Sequence, residues 1–336
     1  MDIRTAIQDY ITAHEIQNSS AFTVVNHRKH LRYFADWLWS VHGITDTDEI
    51  QLTHLRGWMS YLQKTPTRLG RKRGDATVHR YGMSMLAFLH WLEKEEVIQK
   101  PITTRFQLPR VEQKVIPTFT TGDIEKLLAA CEEGDEHKPR LRKALTARNR
   151  AIVTILIDAG LRRSEIVGLR LCDVDRDMRL LVVHRKGNKW QQVPVSRDGF
   201  KPLHEYLTKH RPYLAKLGGS TVARKEDAVF LSARGEPFTA EALSLLFKRL
   251  KKRTGIDDKR VSAHNCRRYM ATTQLAMGRS PLDVQRQMGH TTLKMTNHYY
   301  SQTVEQLQRS QEAYSPLHMK KSEGNTGSGA TGYWDE

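Results

Sequence analysis

The sequence predicts a mostly α-helical protein with a small β-sheet or hairpin, divided into a helical first domain and an α+β second domain. Apolar residues recur at helical spacing over residues 1–100 and again from about residue 199. Residues 178–195 hold two β-rich runs around a Gly-Asn turn, which is typical of a β-hairpin. Residues 101–116 contain two prolines and no clear period, so we expect a domain linker there.

The first domain, residues 1–100, reads as helices throughout. The apolar stripe from Leu31 to Leu38 predicts one helix, with Ser19 or Ser20 as its N-cap. Further helices are predicted over about 52–64 and 76–95, and the polar, basic segment 66–75 is the loop between them. Because the aromatic residues follow helical spacing, we expect them to form a core rather than a surface for stacking bases.

The second domain is predicted over residues 117–313. Its first helix begins near Thr120, which is a suitable N-cap, and the hairpin follows about sixty residues later. Residues 302–313 predict a last short amphipathic helix. Residues 314–336 are rich in Gly and Ser, so a disordered tail is expected.

The overall charge favours a polyanionic partner. The chain has 336 residues and a net charge of +17, and most of that excess lies beyond residue 112. The three cysteines, Cys131, Cys172 and Cys266, predict neither a disulfide framework nor a zinc site, and they fit a reducing cytoplasm. The sequence has no secretion signal and no apolar run long enough to span a membrane, so we expect a cytoplasmic protein.

Four short segments carry residue types that suit one reaction. They are a first box Ala159–Glu165, a hairpin turn Arg185–Lys189, a second box His264–Arg268, and a third box Met288–His290 that Tyr299 follows after nine residues. Together they supply a tyrosine nucleophile, two arginines, two histidines and a lysine. That set suits attack of a tyrosine hydroxyl on a phosphodiester whose charge is held by the cations.

In box order, spacing and hairpin position, the chain from about residue 20 to 313 resembles the tyrosine recombinases, or phage integrase family, in their two-domain Xer-like or Cre-like form. The resemblance implies a SAM-like core-binding domain at 1–100 and the family's catalytic domain at 117–313. It also implies cleavage through a 3′-phosphotyrosyl intermediate and rejoining through a Holliday junction. The enzyme would act as a homotetramer on paired sites, with helix 302–313 docking on a neighbouring protomer.

The resemblance assigns the cationic residues. Arg162 and Arg267 are the expected phosphate clamps, because a guanidinium binds two oxygens at once and stays protonated. Lys186 is the expected acid for the departing 5′ oxygen, with Lys189 as the competing candidate. Glu165 resembles the carboxylate that holds an arginine or histidine in place.

The remaining roles fall to two histidines and a tyrosine. His264 and His290 are expected to contact the scissile phosphate and to help move the tyrosine proton. Tyr299 is preferred to Tyr300 as nucleophile, because the next residue would lie about 100° further around a helix. Cys266 and Arg268 depart from the residues common in the second box, and neither changes the reactive set.

Contacts to duplex DNA are expected from both domains, which would form a C-shaped clamp. The candidates are basic or polar residues of the first domain and one of the hairpin, namely Arg71, Lys72, Arg73, Thr77, Arg80 and Lys189. The sequence implies no metal and no nucleotide cofactor. Helices that begin near residue 5 leave no room for an extra arm-binding domain, which favours simple core sites.

The main prediction is a site-specific recombinase that integrates or excises a mobile element. Alternatives with the same chemistry are Xer-like resolution of chromosome or plasmid dimers and type IB topoisomerase-like relaxation. A catalytically silent DNA-binding protein is a further alternative. The sequence predicts neither the target DNA nor any accessory protein, because base contacts depend on a docked structure.

Overall fold

Helices and one small sheet make up the architecture, which confirms the predicted fold class. The structure is a computed structural model and describes residues 1–67, 69–99, 101–111, 117–132, 137–185, 189–218 and 227–290, with 292, 308, 311 and 312. The chain divides into two units, Met1–Val115 and Ile116–Glu336. Within the described ranges, no helix has both the length and the apolar character needed to cross a lipid bilayer.

The described residues of the first unit include four α-helices. They are α1 Ile3–Ile16, α2 Ala21–His42, α3 Leu52–Lys64 and α4 Asp75–Lys94. Helix α2 begins where the Ser20 hydroxyl accepts the Thr23 N–H at 3.2 Å, and it ends at Gly43, whose φ of 69° suits a residue without a side chain. Aromatic residues on the facing sides, among them Phe34, Trp58 and Phe88, are buried together as predicted.

The described part of the segment predicted as a linker, residues 101–111, packs on the first unit. The Glu93 carboxylate accepts the backbone N–H groups of Ile102 and Thr103 at 2.8 and 3.0 Å, and the Thr103 hydroxyl donates to it at 2.5 Å. Phe106 and Leu108 then pack against the helical core. Local composition did not reveal this, because the tie is made by a carboxylate on α4.

The second unit holds eight helices among its described residues. They are α5 Thr121–Ala129, α6 Pro139–Asp158, α7 Arg163–Val167, α8 Arg197–Glu205, α9 Arg211–Leu217, α10 Ala240–Thr254, α11 Ala263–Ala276 and α12 Pro281–Met288. A π-helical turn, Tyr206–His210, joins α8 to α9. Helix α6 buries residues on several faces and packs against α8 and α11, so it is the centre of this core.

The sheet is a three-stranded antiparallel meander of β1 Val174–Asp175, β2 Leu180–Arg185 and β3 Lys189–Pro194. The hairpin predicted over residues 178–195 is therefore present, with the short β1 added. Its register pairs Leu180 with Pro194 and Arg185 with Lys189. Because successive strand residues alternate between faces, Leu181, Val183 and Arg185 all point into the protein.

A second, smaller core lies beside the main one. It consists of buried residues of α11 and α12, namely Met270, Ala271, Leu275, Val284 and Met288. It packs these two helices together and leads directly into the third box.

Candidate active site

The first box forms a tight turn that presents Arg162 at the start of α7. Gly160 has a φ of +65°, which favours glycine, and a Cβ there would also displace the end of the Met270 side chain. Arg162 is the N-cap of α7, and its N–H donates to Glu165 Oε2 at 2.8 Å. Its Nη1 atom donates to Oε1 of the same carboxylate at 2.6 Å. Glu165 therefore fixes both the backbone and the guanidinium of Arg162.

The second box places Arg267 inside the protein, on the first turns of α11. Arg267 is 3% exposed and donates to the carbonyl oxygens of Gly160 and Met288. His264, one turn earlier, is exposed. Cys266 between them is fully buried in the main core, as expected of a filler residue. The second box is thus tied to both of the others through Arg267.

The third box is a helix end followed by a histidine. Helix α12 ends at Gly289, where φ is +60°. The Gly289 carbonyl accepts a hydrogen bond from Arg162 Nη2 at 3.1 Å. The next residue, His290, has its Nε2 atom 3.3 Å from Arg267 Nη2. The two arginines therefore converge on one turn from two different helices.

Both histidines are neutral near pH 7. Burial lowers the pKa of His290 to about 4, and repulsion by the guanidiniums of Arg267, Arg162 and Arg185 adds to this. Although His264 is exposed as a residue, partial desolvation of its ring lowers its pKa as well, again helped by nearby arginines. A guanidinium only donates, so Nε2 of His290 accepts from Arg267 and the ring proton is assigned to Nδ1.

These contacts leave donors for an anion. Each terminal nitrogen of Arg162 carries two N–H groups, and each gives one to a protein acceptor. The side chain of Arg162 is 33% exposed, so solvent reaches part of it. The geometry therefore suits a phosphate beside Arg162, with Arg267 and His290 behind it.

The comparison with protein families decides the identity of this fold and site. A model described as the phage integrase family matches residues 117–306, which is more than half of the chain. The chain belongs to the phage integrase family. It is a tyrosine recombinase, and its enzymatic class is site-specific breakage and rejoining of DNA.

Similar proteins extend over nearly the whole integrase chain. Tyrosine recombinase XerD of Listeria monocytogenes serotype 4b (strain F2365) is 26% identical over 301 residues, which cover 90% of this chain and 94% of the relative. XerD of Mycobacterium tuberculosis (strain CDC 1551 / Oshkosh) is 29% identical over 302 residues, with the same coverage.

Solved structures show the same fold. The Tn1549 transposon integrase in complex with transposon right end DNA aligns with a TM-score of 0.72 at 18% identity, covering 94% of this chain and 100% of that one. The XerH site-specific recombinase bound to difH substrate aligns with a TM-score of 0.66 at 19% identity, covering 93% and 84%.

Several predicted site residues of this integrase lie outside the described residues. These are Lys186, Tyr299, its alternative Tyr300, helix 302–313 apart from residues 308, 311 and 312, and the tail 314–336. Lys189, the competing hairpin lysine, is described and exposed at the start of β3. The structure thus brings together Arg162, Glu165, Arg267 and His290 and places His264 on the same helix as Arg267.

The predicted DNA-contact residues of the first unit differ in their surroundings. Arg71, Lys72 and Arg80 are exposed, and Thr77 is half-buried. Arg73 instead donates to the Thr65 carbonyl at 2.5 Å and to the Tyr33 hydroxyl at 2.9 Å, and its guanidinium lies 5.5 Å from the centre of the Tyr33 ring. Arg73 therefore fastens its own loop to the helices.

Sequence reasoning missed Arg185 and two glutamines that join the hairpin to α12. Arg185 Nη2 donates to the Gln287 carbonyl at 2.8 Å, and Gln191 Nε2 donates to the Arg286 carbonyl at 2.5 Å. Gln287 is itself buried, and its Nε2 donates to the Pro194 carbonyl at 3.1 Å. Strand alternation could have identified Arg185 as inward-facing. Nothing local marks Gln287, because its acceptors lie far away in the sequence.

Proposed function

We propose that this chain cuts and rejoins duplex DNA at specific sites, with Tyr299 as the nucleophile. The observation that carries the proposal is the convergence of Arg162 and Arg267 on the third-box turn beside neutral His290. Three distant segments are held together there by hydrogen bonds to carbonyl oxygens. Such preorganised donors are what an in-line displacement at phosphorus requires.

The reaction is a transesterification. The Tyr299 hydroxyl oxygen attacks the scissile phosphorus, the bond from phosphorus to the 5′ oxygen breaks, and a 3′-phosphotyrosine forms. The tyrosine proton leaves to a base, and the 5′ oxygen takes a proton from Lys186. A free 5′ hydroxyl reverses these steps on the partner strand. Because the phosphotyrosine stores the bond energy, rejoining needs no external energy source.

The two histidines take different roles in this scheme. His264 is exposed and its pKa is lowered, so its neutral ring can accept the proton of the tyrosine. The Nε2 of His290 accepts from Arg267, so Nδ1 carries the ring proton and is the proposed donor to a phosphate oxygen. His264 is therefore the proposed base, and His290 is a proposed hydrogen-bond donor.

The proposed partner is double-stranded DNA carrying recombination sites. Arg71, Lys72, Arg80 and Lys189 are exposed and are proposed to contact its backbone, which gives register rather than sequence. The Tn1549 integrase structure contains transposon end DNA, and the XerH structure contains its difH substrate, which supports a DNA partner for this fold. We propose that four protomers assemble on two sites, with helix 302–313 docking between neighbours.

Covalent capture tests the chemistry and identifies the target sequence in one experiment. The protein is incubated with duplexes of randomised sequence, and complexes that survive detergent are recovered and sequenced. The selected site is then rebuilt with a nick near the cleavage point, so that a small fragment diffuses away and the adduct accumulates. We expect Tyr299→Phe to abolish the adduct and its neighbour variant, Tyr300→Phe, to retain it. An adduct formed by Tyr299→Phe would contradict the assignment.

The biological role has two candidates. The sequence favours integration or excision of a mobile element, whereas relatives over nine-tenths of the chain are named XerD, which favours the Xer-type role in dimer resolution. Recombination itself is tested on a plasmid that carries two selected sites. Relaxation of a plasmid that lacks any site would instead indicate topoisomerase-like activity. Sites recovered beside mobile-element ends or at one chromosomal locus would separate the two roles.

A further inference from the structure

Arg185 is a buried guanidinium for which the proposed reaction has no role. It is the last residue of β2, faces inward beside Leu181 and Val183, and is 7% exposed. It lies close to the other cationic groups of the site, and together with Arg162 and Arg267 it lowers the pKa of His290. Burying a further cation there is costly, and an apolar residue such as methionine would avoid the cost.

Its partners belong to two of the three boxes. Its Nη2 donates to the Gln287 carbonyl at 2.8 Å, on the helix that ends at Gly289. Its Nε lies 3.7 Å from Glu165 Oε1, the same oxygen that accepts Arg162 Nη1 at 2.6 Å. One carboxylate therefore stands between two guanidiniums. That carboxylate is almost fully buried, with 1% of its side chain exposed, so little water screens the pair.

Arg185 also fills the space under the third-box turn. A Cβ on Gly289 would overlap its guanidinium, so the two groups are packed directly against each other. The same turn accepts Arg162 Nη2 through its carbonyl and continues into His290. Nε and Nη1 of Arg185 are buried and form no hydrogen bond with any described residue, so the guanidinium is held by packing, one carbonyl and the longer contact with Glu165.

From these contacts we infer that Arg185 is a positioning residue for cleavage, which sets Arg162 through Glu165 and sets the Gly289–His290 turn by direct packing. The inference rests on the proposed function. Arg185 is too buried to touch DNA in this arrangement, so it acts through the groups that do. Misplacing those groups by about 1 Å would slow the chemical step by about 100-fold, with little effect on DNA binding.

Arg185→Met tests this, because methionine keeps much of the length and removes the charge and the fork. Single-turnover adduct formation on the nicked substrate is measured alongside site binding by gel shift and stability in urea. We expect adduct formation to fall by about 100-fold while binding stays within about threefold. Arg185→Lys keeps the positive charge but lacks the planar guanidinium with its several N–H donors, so we expect its adduct formation to remain slow. Arg197→Met, the same change at an exposed arginine, is the control.

A second substrate separates positioning of the phosphate-binding groups from an effect on the adjacent Lys186. Sulfur at the 5′ bridging position makes a better leaving group, which needs no acid. With the thio substrate, we expect the rate of adduct formation by Lys186→Ala to be restored and that by Arg185→Met to remain slow. Restoration of Arg185→Met, or a rate within about threefold of the parent on the ordinary substrate, would overturn the inference. Failure of the proposed function itself would show separately, as an adduct that survives Tyr299→Phe.

Discussion

The Nη2 atom of Arg162 donates to the carbonyl oxygen of Gly289 at 3.1 Å, across 127 positions of the sequence. This bond joins the first and third boxes and fixes the direction of the Arg162 guanidinium. Because a guanidinium oriented in advance loses little freedom on binding a phosphate, the bond favours the transition state rather than mere association. The tight turn that offers this carbonyl is therefore a part of the site that can be tested by itself.

Gly289→Ala should be much more harmful than the same change at another helix end. Both Gly289 and Gly255 end helices with positive φ, 60° and 63°, so both variants carry the strain of about 1 kcal/mol for a side chain there. Only at Gly289 would the new Cβ overlap a guanidinium, whereas at Gly255 no described atom lies within 4 Å. In urea titrations, we expect the free energy of unfolding to fall by about 2 kcal/mol or more further in Gly289→Ala than in Gly255→Ala. Equal losses would mean that the turn adapts freely.

Arg267→Ala and Arg162→Ala should separate stability from activity. Arg267 is 3% exposed, and its loss leaves the Gly160 and Met288 carbonyls without this donor, at a cost of about 2–4 kcal/mol. Arg162 is partly exposed, and in Arg162→Ala the Glu165 carboxylate still has Arg185 as a cationic neighbour. We therefore expect the free energy of unfolding to fall by only about 1 kcal/mol. Both variants should fail in covalent capture, while urea titrations distinguish them. Similar unfolding midpoints would contradict this reading of the burial.

The rate of adduct formation should depend on pH through His264. Its pKa is lowered from 6.5, so the ring is already neutral at pH 7, and the rate should stay level above that and fall as the solution becomes more acidic. We expect His264→Gln to be slower and to lose this dependence. His290→Gln should be slower but keep the acid limb, because His290 donates and does not accept the proton. Single-turnover rates between about pH 5 and pH 8 provide the measurement, and an unchanged profile in His264→Gln would reassign the base.

The first unit should lose stability in acid. Burial lowers the pKa of His27, His30 and His54. The pKa of His30 falls to about 4, because Lys29, His27 and Arg80 also repel its charged form. The fold prefers the neutral rings, so the stability is complete above pH 6.5 and is lost as pH falls from there toward 4. We expect the melting temperature of the first unit to drop by roughly 5 °C between about pH 7 and pH 5.5.

Fluorescence reports mainly on this unit, because four of the six tryptophans, Trp37, Trp39, Trp58 and Trp91, lie in it. His30→Gln is the matched variant, since an amide can keep the hydrogen bond that His30 Nδ1 makes with the Ser84 hydroxyl at 2.9 Å. A flatter pH dependence is expected for it. An identical slope in parent and variant would exclude His30 as a contributor.

The fold was largely predictable because its signals are local. Helical spacing, Ser20 and Thr120 as caps and the Gly-Asn turn each act within a few residues. The structure has the corresponding helices and paired strands, and the turn residues lie outside its described ranges. The site was predictable as a set of residue types but not as a geometry. The contacts that join it run from side chains to carbonyls of distant residues, as Gln287 does to Pro194, and carbonyls have no signature in a sequence. Likewise, the role of Arg73 depends on Tyr33 forty positions away.

The small core between α11 and α12 gives α12 a lower local stability than the main core, which bears on product release. The apolar contacts between α11 and α12 come from five side chains, from Met270 to Met288, beside the hydrogen bonds that tie α12 to the hairpin, whereas α6 is embedded in the much larger main core. Regions with few buried contacts open at lower free energy than the domain as a whole. In hydrogen exchange, amides of α12 should therefore exchange well before those of α6. Helix α12 and the third-box turn would then open and close locally while the rest of the domain stays folded. Rejoined DNA would be released by this local opening, without unfolding of the main core.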